Sequence, residues 1–180
     1  YLLQLEMDPN DYEMIKSRLS FMIRYDMDGS VTDVMRIALL KKTQEKPDDV
    51  MFAELLVWFA LQMQDYEIAL NQEIAIDRRL NDREYDIIYL ARIARDNEQY
   101  DIAIIAYDYL IKKSKEGAFY PDAVVGMTET QYQKIATSYH EAGDPQFYID
   151  FEKRIENECM ELGINDMTTP ILIIRAEILA

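Results

Sequence analysis

With one cysteine and one histidine in 180 residues, the chain is nearly without the side chains that make disulfides, soft-metal sites and Cys–His catalytic pairs. Cys159 cannot form an internal disulfide, which leaves the redox compartment open. His140 has no second ligand at metal spacing. Bases are short as well: 19 Lys and Arg against 34 Asp and Glu give a net charge of −15, a field that repels phosphate. The longest basic runs are pairs, Lys41-Lys42, Arg78-Arg79 and Lys112-Lys113, so a nucleic-acid partner is not expected. The apolar run Leu55 to Leu61 is far short of the roughly 20 residues that span a bilayer, and no membrane insertion by this segment is expected. No glycine-rich loop or HExxH arrangement accompanies the many carboxylates. A non-enzyme without cofactor or metal is therefore expected.

What is present in quantity is apolar surface, 49% of the residues, beside 29% charged, the composition of an ordinary globular chain with a substantial core. Apolar residues recur at three and four spacings, as in Leu56, Phe59, Ala60 and Met63 or Ile87, Leu90, Ala91 and Ala94, and strand alternation is nowhere sustained. The few prolines and glycines punctuate this pattern. Asp8-Pro9, Asp144-Pro145 and Thr169-Pro170 each place a capping side chain before a proline at a helix start. Gly143 and Gly163 stand at helix ends, the latter followed by Ile164 for a Schellman contact. Gly126 either lies inside one long helix from Pro121 or marks a break before Thr128, whose spacing to Gln131 resembles a capping box. Helices are expected near 9–25, 31–45, 48–63, 66–80, 83–97, 99–115, 121–142, 145–162 and 169–180. Short connections between amphipathic helices imply antiparallel neighbours and an all-α hairpin stack.

The phrase QDYEIAL at Gln64 to Leu70 returns as EQYDIAI at Glu98 to Ile104, 34 residues later. Superposing 50–83 on 84–117 aligns Leu56 with Leu90, Ala60 with Ala94, Tyr66 with Tyr100, Ile68 with Ile102 and Ala69 with Ala103. Alanines at these places allow close helix approach, and the tyrosines fill the turn. The pattern resembles the tetratricopeptide repeat, a helix–turn–helix unit with a period of about 34 residues. In that frame Tyr107 matches the later aromatic of the second helix. IATSYHEAGDP supplies Ala136, Tyr139 and Gly143 in a further copy whose register is displaced because KEGAFYPDAVV lengthens the connection. ALNQEIAIDRRLN and YDIAIIAYDYLI are also similar to long multi-repeat proteins of Bacteroidetes-type bacteria.

The resemblance implies a single domain over 1–180, a right-handed superhelical stack of antiparallel hairpins. It would hold a degenerate repeat at about 16–49, repeats at 50–83 and 84–117, a lengthened one at about 121–163 and an unpaired first helix at 169–180. It further implies a scaffold that binds a peptide or partner helix on the concave face formed by the first helices. Carried over position by position, the candidate contacts are Trp58, Tyr85, Ile88, Arg92, Arg95 and His140. Trp58 and the two arginines lead because Trp and Arg dominate binding hot spots; the competing reading is that Trp58 packs on a neighbouring helix and the arginines offset surrounding acids. Glu54 and Trp58 stand where a carboxylate clamp needs Lys and Asn, which argues against chaperone-tail binding. The alternatives are a small-ligand-binding or enzyme-associated helical domain, or a passive spacer.

Two segments invite sharper readings. Asp26-Met27-Asp28-Gly29 imitates the middle of a calcium loop, but with Gly29 as its sixth residue the first and twelfth ligands would be Arg24 and Met35, which offer no carboxylate oxygens. A turn followed by a Ser30–Asp33 helix cap is expected. The opening YLLQLEMD and the apolar close ILIIRAEILA lead to the expectation that the chain is a segment of a longer protein, and the latter allows homo-association.

Overall fold

A computed structural model of the chain describes residues 1–137 and 145–180. All regular structure among them is helical: α1 (Leu2–Met7), a 3-10 turn (Pro9–Asp11), α2 (Tyr12–Arg24), α3 (Ser30–Glu45), α4 (Val50–Gln62), α5 (Tyr66–Leu80), α6 (Glu84–Asp96), α7 (Tyr100–Lys113), α8 (Tyr120–Thr137), α9 (Pro145–Leu162) and α10 (Thr169–Leu179). The all-α expectation holds, with one helix more than the pattern suggested. α1 is six residues long, too short for periodicity to register. It is anchored by fully buried Leu5 and by Glu6, which pairs with Lys42 and Lys46 of the α3 end at 2.9 and 2.5 Å. No described helix is long and apolar enough to cross a membrane.

The chain divides into two compact units, residues 1–64 and 65–180. The boundary falls between the two helices of the expected 50–83 repeat. In the first unit α2 packs on α3 and α3 on α4, burying Ile15, Leu19, Leu39, Phe52, Leu55, Leu56 and Phe59. Asp26, rather than Ser30, caps α3. Its carboxylate accepts the Thr32 amide at 2.7 Å, the Val31 amide and the Thr32 hydroxyl, while Asp28 accepts the Ser30 amide at 3.1 Å. Gly29 supplies the left-handed residue between them, at φ 76°. The Thr32 hydroxyl, above all, holds the Asp26 carboxyl below its usual value. The calcium-like acids are thus spent on a turn, and no metal-binding cluster occurs among the described residues.

In the second unit every helix packs on the next, and α5 also touches α7, α6 touches α8 and α8 touches α10. Leu90, Ala94, Ala103 and Tyr107 are buried where α6, α7 and α8 meet, and Tyr100 at the turn is half-buried. In the first unit Leu56 and Ala60 are buried on α4; in the second, Tyr66 and Ala69 are buried on α5. The 34-residue recurrence is also conformational: Gln64 and Glu98, equivalent positions ahead of α5 and α7, both take left-handed backbone, at φ 56° and 61°. Non-glycine residues incur about 1–2 kcal/mol there, against roughly 0.5–1 kcal/mol of extra chain entropy for glycine. Gln64→Gly and Glu98→Gly are each expected to stabilise by about 0.5–1 kcal/mol, read as a raised denaturant midpoint with unchanged slope.

α8 runs unbroken through Gly126, so neither a break nor a Thr128 cap forms. Thr128 is fully buried, its hydroxyl shared between the Glu158 oxygens at 2.7 and 2.9 Å, and Arg154 of α9 reaches Glu158, Thr128 and Gln131. Burial on α8 also corrects the displaced register. Val124, Val125 and Thr128 are buried 34 residues beyond Leu90, Ala91 and Ala94, whereas Ala136 is exposed beside buried Ile135. Tyr139, His140 and Gly143 lie outside the described residues.

A second apolar cluster closes this unit, with Phe151, Ile155 and Cys159 of α9 against Val125 of α8 and Ile171 and Ile174 of α10. Cys159 is a packing residue here, and burial pushes its thiol up. Gly163, at φ 79°, returns its amide to the Cys159 carbonyl at 3.0 Å and ends α9, but Ile164 is exposed and makes no staple. Thr168 precedes α10 fully buried and bonds back to the Gly163 carbonyl at 2.9 Å rather than capping forward.

Candidate functional site

Arg92 and Arg95 lie one turn apart on α6 and face α8. Asp122 and Glu129, two turns apart on α8, receive them: Arg92 Nη2 donates to Asp122 Oδ1 at 2.5 Å, and Arg95 Nη1 to Glu129 Oε2 at 2.8 Å. Helical spacings of three and seven place each set on one stripe. Between and beyond them opens a cleft of about 240 Å³, lined by these four side chains, Tyr107, Val125, Gly126 and the segment Asp166, Met167 and Pro170 leading into α10.

The cleft floor depends on a close contact. Gly126 lies flat on the Tyr107 ring; a Cβ there would sit 2.5 Å from Tyr107 Cζ and 2.8 Å from its hydroxyl. The ring is 1% exposed and its hydroxyl has no hydrogen-bond partner among the described residues. Burial pushes the phenol up, against the pull of the Arg95 and Arg92 guanidiniums. For Arg95, burial pulls the guanidinium down, but the neighbouring Tyr107, Glu129 and Asp96 outweigh it and keep it firmly charged.

The structure sorts the sequence candidates. Arg92 and Arg95 come together, and both are already engaged by acids. Tyr85, one of the remaining exposed candidates at 62%, rests edge-on against Phe119 at 6.3 Å between ring centres. Ile88 is 1% exposed and belongs to the core, so it offers no partner surface. Trp58 belongs to the first unit, half-buried, with Lys16 Nζ 5.8 Å from its ring centre. His140 lies outside the described residues.

Sequence reasoning missed Asp122, Glu129, Asp166 and the role of Gly126. The signal for the acids was available: carboxylates seven apart on α8 opposite guanidiniums three apart on α6. Recognising it required knowing that α6 and α8 are neighbours.

A second polar centre lies elsewhere in this unit. Asp77, on the last turn of α5 and 2% exposed, accepts the Arg83 amide at 2.9 Å on one oxygen, and Tyr109 Oη at 2.8 Å and Lys113 Nζ at 2.6 Å on the other. Lys113 also meets Glu84 at 2.9 Å. Burial pushes the Asp77 carboxyl up, but Lys113, the Arg83 amide and Tyr109 outweigh it and hold it below the usual aspartate value. This centre ties α5, the start of α6 and the end of α7 together. No family model, curated protein or solved structure matches the chain.

Proposed function

We propose that the chain is a non-catalytic protein-interaction module, a right-handed stack of tetratricopeptide-like hairpins whose second unit takes a peptide or partner helix on the face of its first helices. The observation that carries this reading is the cleft at which α6, α8 and the approach to α10 converge, with Arg92 held by Asp122, Arg95 by Glu129 and Tyr107 beneath. Side chains fixed by partners lose little further freedom on binding, which favours a recognition surface. The recurrence of left-handed backbone at Gln64 and Glu98 and the contacts between alternate helices support the hairpin-stack part. Against catalysis stand a thiol buried in the core and raised by it, and an aspartate centre whose oxygens are all engaged.

The test is selection of binding peptides from a random display library, followed by mapping of amide shifts on the chain. Selected peptides are expected to perturb α6 and α8 around Tyr85 and Arg92, and Arg92→Ala to weaken them about ten-fold, the loss of one charge-assisted contact. A footprint confined to α5 and α7, or no saturable binder from repeated selections, would sink the reading.

A further inference from the structure

We infer that the cleft between α6, α8 and the α10 approach receives a basic side chain, lysine or arginine, from the partner segment. This rests on the proposed use of the same face, and it reverses the expectation that the two arginines are the recognition groups. Each guanidinium is already paired with acids: Arg92 with Asp122, Arg95 with Glu129 and, at 3.4 Å, with Asp96. What the cleft holds in excess is carboxylate. Asp122 and Glu129 each have one oxygen engaged and one oxygen without a hydrogen-bond partner among the described residues. Asp166, exposed on the rim, has no hydrogen bond or ion pair among them, and the Tyr107 phenol oxygen is buried and unpartnered.

Three carboxylates against two guanidiniums leave the cleft negative. An acidic group would meet the repulsion of all three carboxylates, whereas an ammonium or guanidinium finds vacant carboxylate lone pairs and leaves both ion pairs intact. The chain's charge of −15 draws a basic segment toward it and slows an acidic one. Size points the same way: about 240 Å³ is below the usual range for small-molecule and cofactor pockets, about 300–1,000 Å³, and suits the end of one side chain. The buried Tyr107 hydroxyl is the independent sign of a ligand, since an unmade hydrogen bond of this kind is costly unless something completes it.

The experiment titrates the whole chain with four N-acetylated, C-amidated tripeptides, Ala-Lys-Ala, Ala-Arg-Ala, Ala-Glu-Ala and Ala-norleucine-Ala, following the amide shifts of Asp122, Gly126 and Met167. The two basic peptides are expected to saturate these shifts at millimolar concentration, with affinity falling severalfold as salt is raised, and the other two to leave them unmoved. Asp166→Asn and Tyr107→Phe, which break no ion pair or hydrogen bond of the fold, are each expected to weaken the basic peptides about three-fold or more. Saturation by the glutamate peptide alone, or basic binding indifferent to both substitutions, overturns the inference while leaving the binding face in place. So does a silent cleft in a chain whose library-selected peptides still footprint on α6 and α8. Loss of that library footprint is the separate result that would remove the face itself.

Discussion

Gly126→Ala is expected to destabilise the second unit by about 1–3 kcal/mol, although alanine is the better helix former by about 1 kcal/mol. The reason is the position of the missing Cβ, 2.5 Å from Cζ of a tyrosine ring that is 1% exposed. Closely packed interiors transmit such an overlap by shifting a whole helix rather than one side chain, so α7 and α8 separate and the cleft floor moves with them. The contact can be isolated by a double-mutant cycle. In a Tyr107→Leu background the same Gly126→Ala change is expected to be neutral or stabilising, because the clash is gone and the propensity gain remains. Hydrogen exchange of the α7 and α8 amides reads this unit directly; the single tryptophan, Trp58, lies in the other one. An equal cost of Gly126→Ala in both backgrounds would show that the glycine answers to something other than Tyr107.

Asp77→Ala is expected to cost about 3 kcal/mol or more, the usual consequence of leaving a buried cation without its anion. Lys113 retains Glu84, which keeps the loss toward the lower end, but the Arg83 amide and Tyr109 hydroxyl lose their acceptor as well. Replacing both partners, Asp77→Leu with Lys113→Met, is expected to recover most of that cost, since the charges must be desolvated only to meet each other. The sign with pH follows from the direction of each shift. The Asp77 carboxyl is held low in the folded chain, so its contribution is complete above the ordinary aspartate value and is lost as pH falls through the lower, folded one. For Lys113, burial pulls down, but Asp77 and Glu84 outweigh it and raise the ammonium; its contribution is complete below the ordinary lysine value and lost as pH rises through the folded one. Asp77→Asn is therefore expected to lower stability at neutral pH and to flatten the acid limb of the stability curve, measured by urea denaturation from pH 2 to 6. An acid limb as steep as that of the original chain would remove Asp77 from the account.

Of the site, less was legible than of the frame. Arg92 and Arg95 were found through the repeat resemblance, yet their partners Asp122 and Glu129 are some thirty residues away and carry no local mark. Ile88 was placed on the binding face by its repeat position, yet it is 1% exposed and belongs to the core. Asp77 precedes two arginines in IAIDRRLN and looks there like a solvated charge; only the arrival of Tyr109 and Lys113 from α7 makes it a buried centre.

By itself the sequence determined the helices, most of their ends and the 34-residue recurrence, because helix periodicity, proline starts and small packing residues are local or act between adjoining turns. Tertiary structure alone decided why Gly126 is glycine, which acids hold the arginines, and that acids outnumber arginines around the cleft. Each of those depends on which helices lie side by side, and a hydrogen bond or an excluded Cβ is a relation between residues that the chain order does not pair.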